Sequence, residues 1–237
     1  MKLVILSSGR CGGRYVSHVI RSAFPGSCVF GEIFRKGGDS IATLATKLQT
    51  TEDEVKTQLA QHPQTIWRNL DSVNNSNINA ARIFYYHRKR NSELWETLRE
   101  DTRIVHVIRR NPFNILVSRK IAEKTGVWEN SKNTINIPHF NTVVMQPDYV
   151  KQEIRKYISD VEWARDKFIK NDYHELYFEE ICYSAKTCAT MLREILSDWE
   201  LPFNPEVTIG LQRIKNSGNF EIVKNYADIA YLDHRFL

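Results

Sequence analysis

Residues 2–21 read KLVILSSGRCGGRYVSHVIR, and this stretch decides the fold. Lys2–Leu6 is a short run rich in Leu, Val and Ile, which is typical of a fully buried parallel strand. The polar segment Ser7–Gly13 that follows contains three glycines. Between Arg14 and Ala23, apolar side chains recur at a helical spacing and predict one buried helical face. The stretch therefore predicts a strand, a glycine-rich loop and a helix.

That order of elements directs backbone N–H groups and the positive end of a helix dipole toward an anion. Arg10 and Arg14 add two positive charges, so the loop predicts a phosphate or sulfate site. The loop lacks the Lys-Ser/Thr pair of the kinase-type phosphate loop and the G-x-G-x-x-G dinucleotide fingerprint. A tight turn without a ligand remains the alternative interpretation of the loop alone.

The composition narrows the class of protein. The 237 residues suit one α/β domain over residues 1–237, and a net charge of +5 suits an anionic small molecule better than a nucleic-acid surface. No apolar run approaches the roughly 18 residues of a membrane span, and we expect no signal peptide before the first strand. The four cysteines form no CxxC pair, so we expect no metal site, no disulfide framework and a cytoplasmic location.

Residues 38–62 predict a helical insertion that covers one side of the site. The segment contains two amphipathic patterns, and Thr51 with Glu54 forms a capping-box signature. A helix-turn-helix DNA-binding module is the alternative, but we expect no third helix here. Its recognition helix would also begin with the acidic run Glu52–Glu54, which disfavours contact with phosphates.

The rest of the chain alternates predicted strands and helices. Strands are expected at 28–34, 80–87, 103–108 and 174–178, and helices at 92–99, 149–170 and 185–199. This alternation predicts an α/β fold with a central, mainly parallel sheet flanked by helices. Glu32 lies near the end of the second strand, where it either points into the cleft or is an ordinary solvated carboxylate. The irregular segment 124–148 is expected to be a functional loop.

A second informative stretch is RRNPFNILVSRKIAEK, residues 109–124. Asn111 is a good N-cap, and Pro112 suits the first position of a helix. Arg110 then stands at the C-terminal end of a strand, and Ser118 lies two turns along the helix that follows.

With these two stretches, the chain resembles sulfotransferases that use 3′-phosphoadenosine 5′-phosphosulfate (PAPS). In that family a loop of R-x-G-T type binds the 5′-phosphosulfate, and a later R-[DN]-P-x-x-x-x-x-S segment holds the 3′-phosphate. Arg10, Gly12 and Tyr15 match the first motif, and Arg110 with Ser118 matches the second. The resemblance implies a P-loop-like sulfotransferase fold.

Shorter matches extend the resemblance over nearly the whole chain. GEIF at 31–34 and TGVW at 125–128 resemble the bacterial carbohydrate sulfotransferases, while YFEE at 177–180 and KNY at 224–226 resemble late elements of the family. The chain departs from the family at Gly13, where Ser or Thr is usual, and at Cys11, which replaces Ser. We interpret Cys11 as a loop filler, because a tyrosine-phosphatase loop would need an arginine where Ser17 stands.

The resemblance implies a role for each of these residues. The cofactor-binding set would be Arg10, Cys11, Gly12, Gly13, Arg14, Tyr15, Arg110, Ser118 and Lys215. Glu32 would be the general base, and Arg10 would also neutralise the leaving phosphate. His87 and His106 are rival bases, although His106 alternates within a strand and is better explained as a core residue. Trp128 and Phe140 would stack on a sugar, or simply pack under the loop.

The sequence thus predicts a PAPS-dependent sulfotransferase of the EC 2.8.2 type. It would transfer the sulfuryl group in line to a hydroxyl of a saccharide or other small molecule, release adenosine 3′,5′-bisphosphate (PAP) and require no metal. We expect neither nucleic acid nor membrane as a partner, and a homodimer is compatible with the sequence. A P-loop small-molecule kinase and a non-catalytic nucleotide- or DNA-binding module are the alternatives.

Overall fold

The computed structural model describes residues 1–35, 37–73, 75–89, 92–128, 142–209, 218–234 and 236–237. These residues contain five strands: β1 (Lys2–Ser7), β2 (Cys28–Val29), β3 (Asn79–Phe84), β4 (Arg103–Ile108) and β5 (Tyr173–Tyr177). The α-helices are α1 (Gly13–Ala23), α2 (Ile41–Leu48), α3 (Glu52–Gln61), α4 (Pro63–Val73), α5 (Ser92–Glu100), α6 (Phe113–Thr125), α7 (Pro147–Phe168), α8 (Phe178–Ile181), α9 (Ala185–Ile195), α10 (Asn219–Ile222) and α11 (Tyr226–Ile229).

The strands form one parallel sheet in the order β2-β3-β1-β4-β5. β1 is central, with Leu3 in register with Ala80 of β3 and Arg103 of β4. Because the strands are parallel, their C-terminal ends lie at the same edge of the sheet. The chain first adds β2 and β3 on one side of β1, and then adds β4 and β5 on the other side. In open parallel sheets, ligands bind at such a reversal of strand order. The predicted α/β fold with a central parallel sheet is confirmed.

Both faces of the sheet are covered, which explains why the central residues of β1, Leu3–Leu6, are all apolar. Val4 and Leu6 pack into the core shared with α2, α4, α5 and α7, whereas Leu3 and Ile5 pack against α1 and α9. Successive side chains of a strand point to opposite faces, so a strand that is buried on both faces must be apolar at every position.

The helical insertion is longer than the sequence suggested. The capping box of α3 forms as predicted: Glu54 N donates to Thr51 Oγ1 at 3.2 Å, and Thr51 N donates to the Glu54 carboxylate at 3.1 Å. The expectation that no third helix follows was wrong, because α4 begins at Pro63 and buries Trp67 and Leu70. Pro63 suits the first turn of α4, where the missing N–H of proline costs nothing.

The start of α6 brings Ser118 to the sheet edge. Phe113 N donates to Asn111 Oδ1 at 3.1 Å, but the N-cap is Pro112 and not Asn111, so the N-cap prediction was wrong by one residue. The first helical residue is Phe113, one residue later than the position predicted for Pro112. Ser118 therefore lies in the second turn of α6.

Within these described ranges, no helix has both the length and the apolar character that crossing a membrane would require.

Candidate active site

A cavity of about 1040 Å³ opens at the edge of the sheet where the parallel strands end. It is bounded by the segments that follow β1, β3 and β4. Eight basic and four acidic side chains line it: Arg10, Arg14, Arg35, Arg82, Arg88, Arg109, Arg119 and Lys156, with Glu32, Asp39, Glu153 and Asp160. A concave site with such an excess of positive charge favours an anionic ligand.

The carboxylates of the cavity all lie near arginines. Asp39 pairs with Arg82 at 2.9 Å, Asp160 with Arg88 at 3.0 Å and Glu153 with Arg119 at 2.9 Å. The Arg82 guanidinium is also 3.9 Å from Glu32 Oε1. Eight basic side chains against four carboxylates leave the cavity lining with an excess of four positive charges.

The first loop has the conformation of an anion cradle. Arg10 (φ 71°) and Gly12 (φ 95°) are left-handed, and α1 begins directly after them. The first N–H groups of a helix have no partner within the helix. Gly12 and Gly13, at the start of α1, both line the cavity. A Cβ at Gly12 would lie 2.4 Å from the Phe178 ring, so only glycine fits beneath that ring.

Gly13 departs from the family pattern for a reason that the packing shows. A Cβ at this position would lie 2.9 Å from Oγ of the buried Ser7. A Ser or Thr side chain here would therefore require Ser7 to shift. The hydroxyl expected from the family is replaced by close packing against β1.

One contact joins the two motifs that the sequence singled out. Arg10 Nε donates to Ser118 Oγ at 3.0 Å, across 108 residues of the chain. Arg10 Nη1 donates to the Trp128 carbonyl oxygen, and the half-exposed Trp128 ring reaches the cavity. The structure thus brings Arg10, Ser118 and Trp128 together at one side of the cavity.

The structure does not bring the Arg110 side chain into this group. Its Nη2 pairs with Glu180 Oε1 at 2.6 Å, and its guanidinium lies 3.9 Å from the centroid of the Tyr177 ring. Among the described residues that line the cavity, Arg109 appears and Arg110 does not. The assignment of Arg110 to a 3′-phosphate stays a prediction.

Glu32 lies in a turn after β2, rather than in the strand expected at 28–34, and it lines the cavity. Its side chain is almost buried. The Tyr86 hydroxyl donates to Glu32 Oε2 at 3.0 Å, and Arg82 approaches the other oxygen. One carboxylate is therefore held at the cavity wall by two neighbouring side chains.

The two rival bases are both buried away from the cavity lining. His87 is 2% exposed, and its Nδ1 accepts a hydrogen bond from Phe84 N at 3.1 Å. His106 is fully buried and hydrogen-bonded between the hydroxyls of Tyr85 and Tyr173. Burial lowers the pKa of His106 to about 3, so it is a neutral core histidine at physiological pH.

This burial predicts an acid-sensitive stability. An unfolded histidine takes up a proton near pH 6.5, but His106 in the fold does so only near pH 3. The unfolded state therefore gains protons as the pH falls between these values, at a limiting cost to folding of about 1.4 kcal/mol per pH unit. We expect His106→Gln to flatten the loss of stability between about pH 7.5 and about pH 5 in urea unfolding. His62→Gln, at an exposed position, is the control, and equal slopes for wild type and His106→Gln would contradict a buried neutral His106.

The remaining predicted residues divide into three groups. Arg14 and the half-buried Tyr15 line the cavity, and burial raises the pKa of the Tyr15 hydroxyl. Cys11 belongs to the loop, and its side chain is buried. Its Sγ contacts the Tyr157 hydroxyl at 3.6 Å, and burial raises the pKa of the thiol. Cys11 is therefore a packing residue and no reactive thiolate. Lys215 and Phe140 lie outside the described residues.

Sequence reasoning missed Arg82, Tyr86 and Arg109. Arg82 is 7% exposed in β3, and burial lowers its pKa despite the nearby carboxylates. A charged residue within an otherwise apolar buried strand was the signal that could have identified it, because such residues are seldom buried without a partner. Among the residues that the structure describes, no group of three His, Cys, Asp or Glu side chains could hold a metal ion.

No protein-family model and no curated protein sequence matches this chain. Among solved structures, the chain is similar to a sulfotransferase from Alicyclobacillus acidocaldarius, with a TM-score of 0.49 and 13% sequence identity. The similarity covers 87% of this chain and 85% of that one. The residues of the cavity itself therefore carry the functional assignment.

Proposed function

We propose that the protein is a sulfotransferase that moves the sulfuryl group of PAPS to an acceptor hydroxyl. The observation that carries the proposal is the hydrogen bond between Arg10 and Ser118, which joins the predicted 5′-phosphosulfate loop to the predicted 3′-phosphate helix. Two anion-binding elements that line one cavity favour a ligand with more than one anionic group, such as a nucleotide with phosphates at both ends, over a single inorganic ion.

The cavity fits such a nucleotide in size and charge. Ligand pockets typically enclose about 300–1,000 Å³, and about 1040 Å³ leaves room for an acceptor beside a nucleotide. Arg10, Gly12, Gly13, Arg14 and Tyr15 would hold the 5′-phosphosulfate, with Ser118 at the 3′-phosphate. The roles implied for Arg110 and Lys215 remain part of the proposal, and Arg110 would first have to leave Glu180.

Bound PAPS would supply an activated sulfuryl group, and the residues of the chain would position and stabilise the reacting atoms. Glu32 would accept the proton of the acceptor hydroxyl, in an orientation that Tyr86 and Arg82 fix. Arg10 and Arg14 would stabilise the negative charge that develops on the leaving phosphate. None of these roles calls for a metal ion.

A saccharide hydroxyl is the acceptor that we propose, with other small molecules as the alternative. The Trp128 ring is 54% exposed and lines the cavity, so it offers an aromatic platform on which a sugar ring can stack. A cytoplasmic location and a homodimeric assembly belong to the same proposal.

The experiment that tests the activity is PAP release from PAPS in the presence of a panel of saccharide and small-molecule alcohols. The account predicts acceptor-dependent release without added metal. Phosphoryl transfer from ATP with magnesium to the same acceptors, without PAP release, would instead support the small-molecule kinase.

A further inference from the structure

β4 is followed by two consecutive arginines whose side chains have different surroundings. Arg109 is 7% exposed and lines the cavity. Arg110 pairs with Glu180 and stacks on Tyr177. Arg110, which matches the family motif, is therefore held at the β5–α8 corner. Arg109 lines the ligand cavity.

Arg109 is bound to the first loop. Its Nη1 donates to the carbonyl oxygen of Arg10 at 3.2 Å. Its guanidinium carbon lies 4.7 Å from the centroid of Phe178, within cation–π range. The backbone N–H of Arg109 donates to the Tyr157 hydroxyl at 2.8 Å, which fixes the point from which the side chain extends.

These contacts converge on the two left-handed residues of the loop. Arg10 has φ 71°, a left-handed conformation that is unfavourable for a residue with a Cβ. The hydrogen bond from Arg109 holds the Arg10 carbonyl in that orientation. Phe178, stacked on Arg109, closes over Gly12 so tightly that a Cβ there would collide with the ring. Arg109 thus supports both positions that shape the loop, directly at Arg10 and through Phe178 at Gly12.

We propose that Arg109 is the positioning residue of the first loop, holding Arg10 and Gly12 in the conformation that binds the ligand's anionic group. Arg110, as it lies in the structure, contacts Glu180 and Tyr177 at the β5–α8 corner instead of the loop. The inference rests on the proposed function for the choice of nucleotide, but the loop should also bind inorganic phosphate.

The test compares Arg109→Met, Arg109→Lys and Arg110→Met by calorimetric titration with PAP, AMP and inorganic phosphate. AMP lacks the 3′-phosphate, so it separates effects at the loop from effects at the other end of PAP. Because Arg109 acts on the loop, Arg109→Met should weaken all three ligands by a similar factor. We expect about 10- to 150-fold, the scale of one hydrogen bond from a charged group. Arg109→Lys should restore part of that affinity, because an ammonium can still donate to the Arg10 carbonyl.

The matched control is Arg193→Met, which removes an arginine stacked 4.9 Å from the centroid of Phe203 and outside the cavity lining. Its melting temperature shows what the loss of such a contact does to stability alone. A loss in Arg109→Met confined to PAP, or no recovery in Arg109→Lys, would overturn the positioning role. A larger loss of phosphate affinity in Arg110→Met than in Arg109→Met would overturn it as well.

The two proposals fail in different ways. A wild-type chain that binds phosphate but not PAP contradicts the proposed function, and the Arg109 comparison is then decided with phosphate. A wild-type chain that binds PAP, with Arg109→Met binding it equally well, contradicts only the role of Arg109. A wild-type chain that binds none of the three ligands contradicts both.

Discussion

Glu32→Gln is expected to reduce turnover by about 100-fold or more, the usual scale for a lost general base, while the affinity for PAP stays unchanged. Glutamine keeps the size and hydrogen-bonding capacity of the side chain but cannot accept the proton of an acceptor hydroxyl. Glu32 lines the cavity, with the Tyr86 hydroxyl on one carboxylate oxygen and Arg82 near the other, and we propose it for this task. Turnover is measured as PAP release with an accepted alcohol, and affinity by calorimetry.

Tyr86→Phe is the matched control for this prediction. It removes the hydrogen bond to Glu32 Oε2 but leaves the carboxylate in place. A hydrogen bond to a charged group contributes about 1.5–3 kcal/mol to stability. Because the carboxylate itself stays, we expect turnover to fall by no more than the lower end of that scale, about tenfold. If Glu32→Gln retains wild-type turnover, the base lies elsewhere in the chain.

Arg10→Met is expected to weaken PAP binding by about 10- to 150-fold, because it removes a charged partner of the nucleotide. The same substitution breaks the hydrogen bond to Ser118 and the contact with the Trp128 carbonyl, so both ends of the site lose a support. The dissociation constants of PAP and AMP, measured side by side, show how much of the lost affinity comes from the 3′-phosphate, which AMP lacks, and how much from the rest of the nucleotide.

Two further variants calibrate the effect of Arg10. Ser118→Ala removes one neutral hydroxyl, and we expect it to weaken PAP by up to about tenfold and to leave AMP unaffected. Arg155→Met removes one exposed positive charge from α7 outside the cavity lining, which measures the effect of net charge alone. If Arg10→Met behaves like Arg155→Met, Arg10 does not contact the nucleotide.

The fold could be predicted from the sequence where local and global signals agree. Leu3–Leu6 of β1 are all apolar, which indicates a strand that is covered on both faces. The helix α1 follows this strand and buries one face. The prediction missed α4, because Pro63 is equally suited to ending α3 and to opening a new helix. The burial of Trp67 is a tertiary effect that decides between these two uses.

The site could be predicted only in part, for a related reason. The glycine-rich loop and the resemblance to sulfotransferases identified Arg10, Ser118 and Glu32, which the structure places around one cavity. Spacing could not decide between Arg109 and Arg110, because adjacent residues at a strand end project in different directions. Which one faces the cavity depends on the contacts of Glu180 and Tyr177, about 70 residues later in the chain. The loop candidates Lys215 and Phe140 stay predictions.

The central claim is that the cavity binds a nucleotide with phosphates at both the 3′ and 5′ positions. Calorimetric titration of the wild-type protein with PAP, AMP and ATP with magnesium tests it most directly. The account predicts that PAP binds most tightly, that AMP binds much more weakly, and that magnesium does not improve binding. Preference for ATP with magnesium, or no difference between PAP and AMP, would contradict the account.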